Sequence, residues 1–274
     1  MYMFLRFPGF KRKALTFSYD DGTVYDKPLA EIFNKYGMKG TFNLNSGSFG
    51  VGRRLSLEDL HGVFDGTEHE IAVHGVDHLS LAEVPESAGT ADIILDRIAL
   101  EREFGGIIRG MAYANGSFND NVVEMLKKCG IAYSRTTVST HTFNIPTNWL
   151  KLDPTCHHRD PMLMELADKF LDNTVHEKWW RNRPELFYVW GHSYEFNDND
   201  NWYIIEDFCK KLAGKDYIWY ATNIEIYNYV KAYDSLIYSA NGKTVTNPTS
   251  TDVYIVTRSG VEYVIRAGET IDIQ

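Results

Sequence analysis

The sequence has few cysteines, and no two of them are close together. Cys129, Cys156 and Cys209 are widely separated, so neither a CxxC zinc ribbon nor a disulfide framework is indicated. Free thiols are typical of a reducing compartment. The apolar stretch within residues 1–13 is too short for a secretory signal, and no cleavage-site pattern follows it. We therefore expect a cytoplasmic protein, or a secreted one if a signal segment has been removed.

Long apolar runs and concentrated positive charge are lacking as well. No uninterrupted apolar run is long enough to cross a bilayer. Lys and Arg total 28 against 37 Asp and Glu, and the basic residues are scattered apart from short clusters such as 11–13. Binding to a nucleic acid or to an anionic membrane would need a basic face, so we expect neither partner. The sequence gives no indication of an oligomeric state.

Strand-like and helical segments alternate as far as about residue 233. Short runs rich in β-branched and aromatic residues are typical of buried parallel strands, and they occupy residues 14–19, 40–45, 70–75, 107–113, 131–137, 186–192 and 216–222. Helical patterns with proline starts, glycine stops or capping residues lie between them. Such repeated units predict an α/β fold, with a parallel sheet covered by helices. Seven candidate strands and no glycine-rich nucleotide motif favour an irregular (β/α) barrel over residues 1–233.

The last part of the chain, residues 234–274, has a different pattern. Helical periodicity is absent, and turn signals recur at 241–242, 247–248, 259–260 and 267–268. We predict three or four short strands. About 40 residues of sheet are not stable alone, so we expect a small β appendage packed on the barrel. A carbohydrate-gripping module is the alternative interpretation.

Two adjacent acids follow the first predicted strand. Asp20 and Asp21 stand in the segment SYDDG, residues 18–22. An Asp-Gly pair is common in surface turns, which is the structural alternative. Catalytic groups of βα barrels, however, lie in the loops at the carboxyl ends of the strands, and this position favours a functional role.

Three histidines end other predicted strands. His74 and His78, four residues apart, can converge on one metal if the backbone curls after the strand. Together with an aspartate from SYDDG they form the ligand set of hydrolytic zinc sites, which leave a coordination position open for water. His192, in WGHSYEF, ends a strand on the same face, and this placement favours a proton-transfer role.

These motifs, in this order, resemble those of the polysaccharide deacetylase family (NodB homology, carbohydrate esterase family 4). SYDDG is similar to the family's TFDDG. HEIAVHGVDHLSL contains a His-x-x-x-His segment like the family's second motif, and LFYVWGH is similar to its last one. The resemblance covers about residues 10–230 and leaves out the C-terminal strands.

The resemblance implies a role for each matched residue. Asp20 is the general base, and Asp21 joins His74 and His78 as a ligand of one divalent metal ion. His192 is the general acid that protonates the leaving amine or alcohol. The implied metal is zinc, with cobalt, nickel and manganese also compatible with such ligands. The implied substrate is an acetylated carbohydrate.

The third family motif is where the sequence departs from the pattern. The family commonly has Arg-x-Pro-Tyr-Gly, whose arginine orients the base, whereas this chain has MAYANGSFND at residues 111–120. Ala112 stands where the arginine is expected, and Asn115 stands where tyrosine would offer its backbone N–H to the oxyanion. Another residue must therefore orient Asp20, and the candidates are Arg109, Arg135 and Arg159.

The segment KLDPTCHHRD is matched to the fourth family motif, which supplies an acid that orients the catalytic histidine. Asp153 is the expected acid. His157 and His158 could support the catalytic groups or contact the substrate, but we favour a solvated loop. Candidates for contact with the substrate or the oxyanion are Asn115, Tyr113, Trp190 and Glu195, although ordinary packing is the alternative for the aromatic ones.

The leading hypothesis is a metal-dependent deacetylase that acts on an N- or O-acetylated sugar or oligosaccharide. A related amide hydrolase acting on a non-sugar substrate is one alternative, since fold and metal ligands do not fix the substrate. A carbohydrate-binding protein with a decayed site is another. The missing arginine favours that reading slightly, and the intact Asp-Asp-Gly and His-x-x-x-His motifs oppose it.

Overall fold

Parallel strands alternate with helices along most of the chain in the computed structural model, which describes residues 3–173 and 183–273. The strands are β1 (Met3–Arg6), β2 (Lys13–Asp20), β3 (Gly40–Leu44), β4 (Glu70–Val73), β5 (Gly110–Ala112), β6 (Tyr133–Arg135), β7 (Cys156–His157), β8 (Glu185–Gly191), β9 (Ile218–Tyr220), β10 (Ile237–Tyr238), β11 (Thr244–Thr246), β12 (Val253–Thr257), β13 (Glu262–Ile265) and β14 (Thr270–Asp272). The α-helices are α1 (Asp26–Tyr36), α2 (Leu57–Phe64), α3 (Glu86–Phe104), α4 (Asp120–Lys128), α5 (Leu163–Leu171), α6 (Tyr194–Asp198), α7 (Tyr203–Leu212) and α8 (Asn223–Asp234). Short 3₁₀ helices are Ser46–Ser48, Leu81–Glu83, Ala114–Gly116 and Trp149–Lys151.

The central sheet is parallel and curls into an incomplete barrel. Its strand order is β6-β5-β4-β3-β2-β8-β7, and β9 also pairs with β2. All pairings within this sheet are parallel. The predicted α/β class and irregular (β/α) barrel are therefore confirmed.

Strand β2 shows how the alternation of side chains builds the barrel. All eight of its residues are buried. Phe17 and Tyr19 lie against Phe33 of α1, with ring centroids 4.5 and 5.8 Å away. Ser18 and Asp20 point to the opposite face, where both accept hydrogen bonds from Asn43. Because side chains alternate along a strand, one face of β2 packs on helices and the other presents polar groups to the interior.

The gap between β6 and β7 is closed by the segment around Leu152. Its backbone N–H donates to the Ser134 carbonyl at 3.0 Å, and its carbonyl accepts from the Thr136 N–H at 3.0 Å. Three residues later, the Thr155 N–H donates to the Tyr188 carbonyl of β8 at 2.8 Å. This segment therefore connects β6 with β8 through backbone hydrogen bonds.

The C-terminal strands form two small antiparallel sheets, ordered β1-β12-β13 and β10-β11-β14. They number five rather than the three or four expected. No local pattern predicted that β1 would pair with β12, in the register Met3↔Thr257 to Arg6↔Tyr254. No helix in the described ranges is both long and apolar enough to cross a membrane.

We propose that residues 234–274 stabilise the barrel, and we expect their deletion to cause aggregation or a large loss of stability. Val253, Ile255 and Ile265 are completely buried, and burying such side chains contributes roughly 1.5–3 kcal/mol each. The deletion would also leave β1 without its partner. Soluble yield and the urea midpoint measure the effect, with deletion of residues 270–274 alone as the milder control. A soluble deletion variant with an unchanged midpoint would contradict the proposal.

Candidate active site

Asp20 and Asp21 lie where β2 ends at the carboxyl edge of the sheet. Asp20 is its last residue, paired with Asn43 of β3. The backbone then turns, because Asp21 has φ of 87°, a left-handed value that is rare for residues other than glycine. Its N–H donates to the Asn43 carbonyl at 2.9 Å. Both carboxylates are buried, with exposed fractions of 2% and 8%.

His74 and His78 follow β4 at the same edge. The Nδ1–H of His74 faces the Ala112 carbonyl of β5 at 2.9 Å. A histidine held in this way keeps its Nε2 lone pair free, as metal-ligating histidines commonly do. Burial lowers the pKa of His74, which favours the neutral imidazole that a metal requires. His78 has φ of 54°, so the backbone curls between the two histidines as the spacing predicted.

The turn that carries His74 is fixed from α3. The buried Asp96 carboxylate accepts from the N–H groups of His74 and Gly75, at 3.0 and 2.9 Å, and from that of Ser46. Gly75 has φ of 85°, and a Cβ there would lie 2.2 Å from an Asp92 carboxylate oxygen. Only glycine fits this position, so the sequence determines the local path of the ligand loop.

The Asp21, His74 and His78 side chains fit a divalent metal ion. Oδ1 of Asp21 lies 3.8 Å from His74 Nε2 and 3.6 Å from His78 Nε2, and the three ligand atoms lie within 4.8 Å of one another. That oxygen is buried and makes no hydrogen bond, so a cation would satisfy it. One carboxylate and two imidazoles are donors that zinc accepts.

Asp20 has its own set of partners, distinct from those of Asp21. Its Oδ1 accepts from Asn43 Nδ2 at 2.8 Å, and its Oδ2 accepts from the guanidinium of Arg135. Burial would raise the pKa of Asp20, but Arg135, aided by His74 and His192, holds it below its usual value. The sequence analysis missed Asn43, although a polar residue inside the buried strand GTFNL was a signal for it.

Arg135 is the candidate arginine that reaches Asp20. It ends β6 directly opposite Ala112 of β5, is completely buried, and lies with its guanidinium 4.2 Å from the ring centroid of Trp190. The other two candidates are engaged elsewhere, since Arg109 donates to the Gly130 carbonyl and Arg159 pairs with Glu195. The guanidinium of Arg135 therefore reaches Asp20 from β6, the strand beside the one that carries Ala112.

His192 follows β8 and faces Asp20 across the site. Its Nε2 lies 3.9 Å from Asp20 Oδ2, and its Nδ1 lies 3.8 Å from Glu195 Oε1. Burial would lower the pKa of His192, but Glu195, Asp20 and Asp21 together raise it above its usual value. The structure therefore favours the protonated imidazolium.

Glu195 lies close to two histidines and one arginine. His157 Nε2 and His158 Nε2 lie 3.2 and 3.1 Å from its Oε2, and Arg159 lies 3.3 Å from its Oε1. Burial would raise the pKa of Glu195, but the neighbouring histidines hold it well below its usual range. The interpretation of His157 and His158 as a solvated loop is wrong, because His158 is only 1% exposed and stacks on Phe196.

The distances around Glu195 would also suit a metal, with His157, His158 and Glu195 as ligands. The tautomer of His157 argues against it. Its Nδ1 accepts the Arg159 N–H at 3.1 Å, so the neutral ring carries its proton on Nε2, the atom that faces Glu195. A ring in that state donates a proton to a carboxylate and has no lone pair there for a metal.

The remaining candidates are spread around the site. The Asp153 carboxylate accepts from Thr136 Oγ1 at 2.5 Å, and Glu195 is the carboxylate that lies against His192. Tyr113 is buried and donates its hydroxyl to the Leu150 carbonyl at 2.7 Å. Asn115 has a left-handed φ of 56°, and its side chain donates to Ser80. The roles assigned to Asp153, Tyr113 and Asn115 stay predictions.

The polysaccharide deacetylase family model matches residues 8–134. This range includes both aspartates and the two histidines of the candidate metal site, and it ends just before Arg135. No curated protein sequence matches the chain significantly. The match confirms the resemblance that the motifs indicated.

Solved structures resemble the chain mainly in fold. A Mycobacterium smegmatis protein described as a polysaccharide deacetylase has a TM-score of 0.60 at 16% identity, over 84% of this chain and 94% of that one. A Bacillus anthracis pseudoenzyme of carbohydrate esterase family 4 has a TM-score of 0.50 at 16% identity, over 82% and 68%. A Streptococcus pyogenes deacetylase in complex with acetate has a TM-score of 0.46 at 19% identity, over 50% of this chain and 61% of that one. The chain therefore covers less than two thirds of the length of that protein.

Proposed function

Because residues 8–134 match the polysaccharide deacetylase family, we propose that the protein is a metal-dependent hydrolase that removes N- or O-linked acetyl groups from a sugar or oligosaccharide. One observation carries the proposal: two carboxylates and three imidazoles converge at one edge of the barrel. His74 lies 3.8 Å from both Asp20 and Asp21, His78 lies 3.6 Å from Asp21, and His192 lies 3.9 Å from Asp20.

Asp21, His74 and His78 are the residues that would hold the ion, for which zinc is our first choice and cobalt, nickel or manganese are alternatives. When bound, such an ion lowers the pKa of a water molecule and polarises the acyl carbonyl. Arg54 lies 3.4 Å from the second oxygen of Asp21. This contact orients the carboxylate so that its unpartnered Oδ1 faces the histidines.

Asp20 would act as the general base. Its carboxylate is ionised at neutral pH, because Arg135 keeps its pKa below the usual value despite burial. It would accept the proton of the attacking water, and Arg135 and Asn43 would hold it in one orientation during the transfer. A positioned general base of this kind contributes roughly 10²–10⁴-fold in rate.

His192 would act as the general acid. Its imidazolium, favoured by the raised pKa, would donate the Nε2 proton to the leaving amine or alcohol as the acyl bond breaks. Glu195 faces the other nitrogen and would keep the ring charged and in place. We therefore propose Glu195 for the orienting role that the sequence analysis expected of Asp153.

Replacing Glu195 by glutamine is expected to move the alkaline limb of the kcat profile to lower pH. The acid form of His192 is the active one, so kcat falls as pH rises through its pKa, and losing the Glu195 charge lowers that pKa. Initial rates of acetate release across pH measure the shift. Asp153→Asn is the matched control and should leave the alkaline limb unchanged. A shift in Asp153→Asn alone would show that Asp153, and not Glu195, orients His192.

Acetate release from a panel of N- and O-acetylated oligosaccharides tests the proposed function. We expect the metal-loaded protein to release acetate from at least one of them, and His192→Ala to lose most of that activity while keeping its metal. Release only from acylated compounds without a sugar would point to the related amide hydrolase. Metal binding without any release would identify a decayed site.

A further inference from the structure

Asp26 is a buried acid close to the site that none of the roles above uses. It is the first residue of α1 and is completely buried. The Oδ1 atom accepts from Ser193 Oγ at 2.5 Å, and Ser193 Oγ in turn lies 2.8 Å from Thr23 Oγ1. The Asp26 N–H donates to the Thr23 carbonyl at 2.9 Å. Three buried polar groups therefore form one short hydrogen-bonded chain.

These hydrogen bonds join the two segments that carry the proposed base and acid. Thr23 comes two residues after Asp21, and Ser193 comes directly after His192. Asp26 and its two hydroxyl partners are at most 2% exposed, so water does not compete for these hydrogen bonds. A shift of either segment would break these hydrogen bonds and leave buried polar groups unpaired, which is unfavourable.

The surroundings of Asp26 favour its neutral form. Oδ2 is buried and has no hydrogen-bond partner, which is far less costly for a carbonyl oxygen than for an anionic one. Burial raises the pKa of Asp26 to about 8; the Ser193 hydrogen bond opposes this shift, whereas Asp21 and Asp20 add to it. Arg54 opposes it as well but is engaged with Asp21.

We propose that Asp26, as a neutral carboxylic acid, is a positioning residue that fixes the segment bearing His192 against the turn bearing Asp20 and Asp21. When protonated on Oδ1, Asp26 donates a hydrogen bond to Ser193 Oγ, the reverse of the bond that its ionised form accepts, and the Ser193 hydroxyl is then free to donate to Thr23. Because no charge is involved, this connection does not disturb the two nearby carboxylates. The inference rests on the proposed function, since it gives the reason why base and acid keep their distance.

An ionised Asp26 that merely stabilises the start of α1 is the competing explanation. Helix N-termini favour negative charge, so the position alone does not decide between the two. The unpartnered Oδ2 favours the neutral acid, because both oxygens of an ionised aspartate in that role would accept hydrogen bonds from N–H groups or solvent.

Asparagine and alanine at position 26 separate these explanations. Asparagine mimics the neutral acid, because its amide can donate to Ser193. We expect Asp26→Asn to retain kcat within about threefold, and Asp26→Ala and Ser193→Ala to lose about tenfold or more, with KM and metal content unchanged. Residues that act as a unit are not additive, so the double alanine variant should be no worse than the single ones. Equal losses in Asp26→Asn and Asp26→Ala would overturn the neutral-acid proposal, and metal loss in Asp26→Ala would assign the residue to the metal site.

Hydrogen exchange tests the same connection without any substrate. Asp26→Ala should speed exchange in residues 192–196, whereas Asp26→Asn should match the wild type. If the wild type released no acetate but showed this pattern, the proposed function would fail and the positioning role would stand. Unchanged exchange in Asp26→Ala would overturn the positioning role, whatever the activity.

Discussion

Replacing Arg135 by methionine is expected to lower kcat about 10²–10⁴-fold, the range for losing a general base, and to destabilise the fold by about 3–5 kcal/mol. Arg135 is completely buried and binds Asp20, which is buried as well. Without the guanidinium, an uncompensated carboxylate remains in the interior. The pKa of Asp20 then rises, because Arg135 is the strongest influence that lowers it, and a smaller fraction of the base is ionised.

The acidic limb of the pH profile provides a readout beyond stability. The base works when ionised, so a higher pKa of Asp20 moves this limb to higher pH. Arg135→Lys keeps the charge but loses the planar fork, and it should fold while showing part of the shift. Arg159→Met is the matched control, since this arginine pairs with Glu195 and does not reach Asp20. An unshifted limb in Arg135→Lys, with activity intact, would contradict the role of Arg135.

Moving the arginine to the position that the family uses provides a test by rescue. Ala112 lies opposite Arg135 on the neighbouring strand, and the volume that Arg135 occupies becomes free in Arg135→Ala. We expect the double variant Ala112→Arg, Arg135→Ala to regain a measurable part of the activity lost in Arg135→Ala. That result would show that the cation matters more than the strand that supplies it.

Asparagine substitutions at Asp20 and Asp21 are expected to differ in metal content, although both lower the activity strongly. Asp21 presents an unpartnered oxygen to His74 and His78, so Asp21→Asn should lose the metal. Asp20 is occupied by Arg135 and Asn43 instead. Asp20→Asn should therefore keep the metal and lose about 10²–10⁴-fold in kcat.

Elemental analysis together with steady-state rates on the same preparations measures both effects. His78→Asn is a useful companion variant, because it removes a ligand without touching either carboxylate, and it should behave like Asp21→Asn. Equal metal loss in the Asp20 and Asp21 variants would break the division of roles between the two aspartates.

The sequence predicted those parts of the site that lie within single segments. SYDDG and HGVDH each place their side chains through a local turn at a strand end, so the motifs alone indicated Asp20, Asp21, His74 and His78. The capping box that Ser56 and Asp59 form at the start of α2 is another local feature of this kind. Local chemistry was enough in these places because neighbouring residues determine the geometry.

Contacts between distant segments were not readable in the same way. Arg135 reaches Asp20 because β6 lies beside β5 in a defined register, and no local pattern reports that pairing. Glu195 meets His157 because the segment that closes the barrel brings β7 next to β8. The sequence analysis named Arg135 only as one of three candidates, and it expected Glu195 to contact the substrate or the oxyanion.

Two of the elements that were not predicted from the sequence have related explanations. The long helix α3 was not predicted, because polar residues such as Asp92 and Asp96 occupy its buried face and interrupt the apolar stripe. Those carboxylates accept backbone N–H groups of the ligand loop, so the irregularity serves the site. Strand β1 was read as part of a short apolar stretch, since its partner β12 lies some 250 residues away.

We propose that one divalent ion, held by Asp21, His74 and His78, is required for the deacetylase activity. Titrating zinc into chelator-treated protein, while acetate release from N-acetylated oligosaccharides is followed, tests it most directly. We predict that activity starts near zero, rises with added metal and levels off at about one equivalent per chain, as expected for a single three-ligand site. Full acetate release from the metal-free protein would contradict this proposal. One bound equivalent of zinc with no acetate released from any acetylated sugar would contradict it as well.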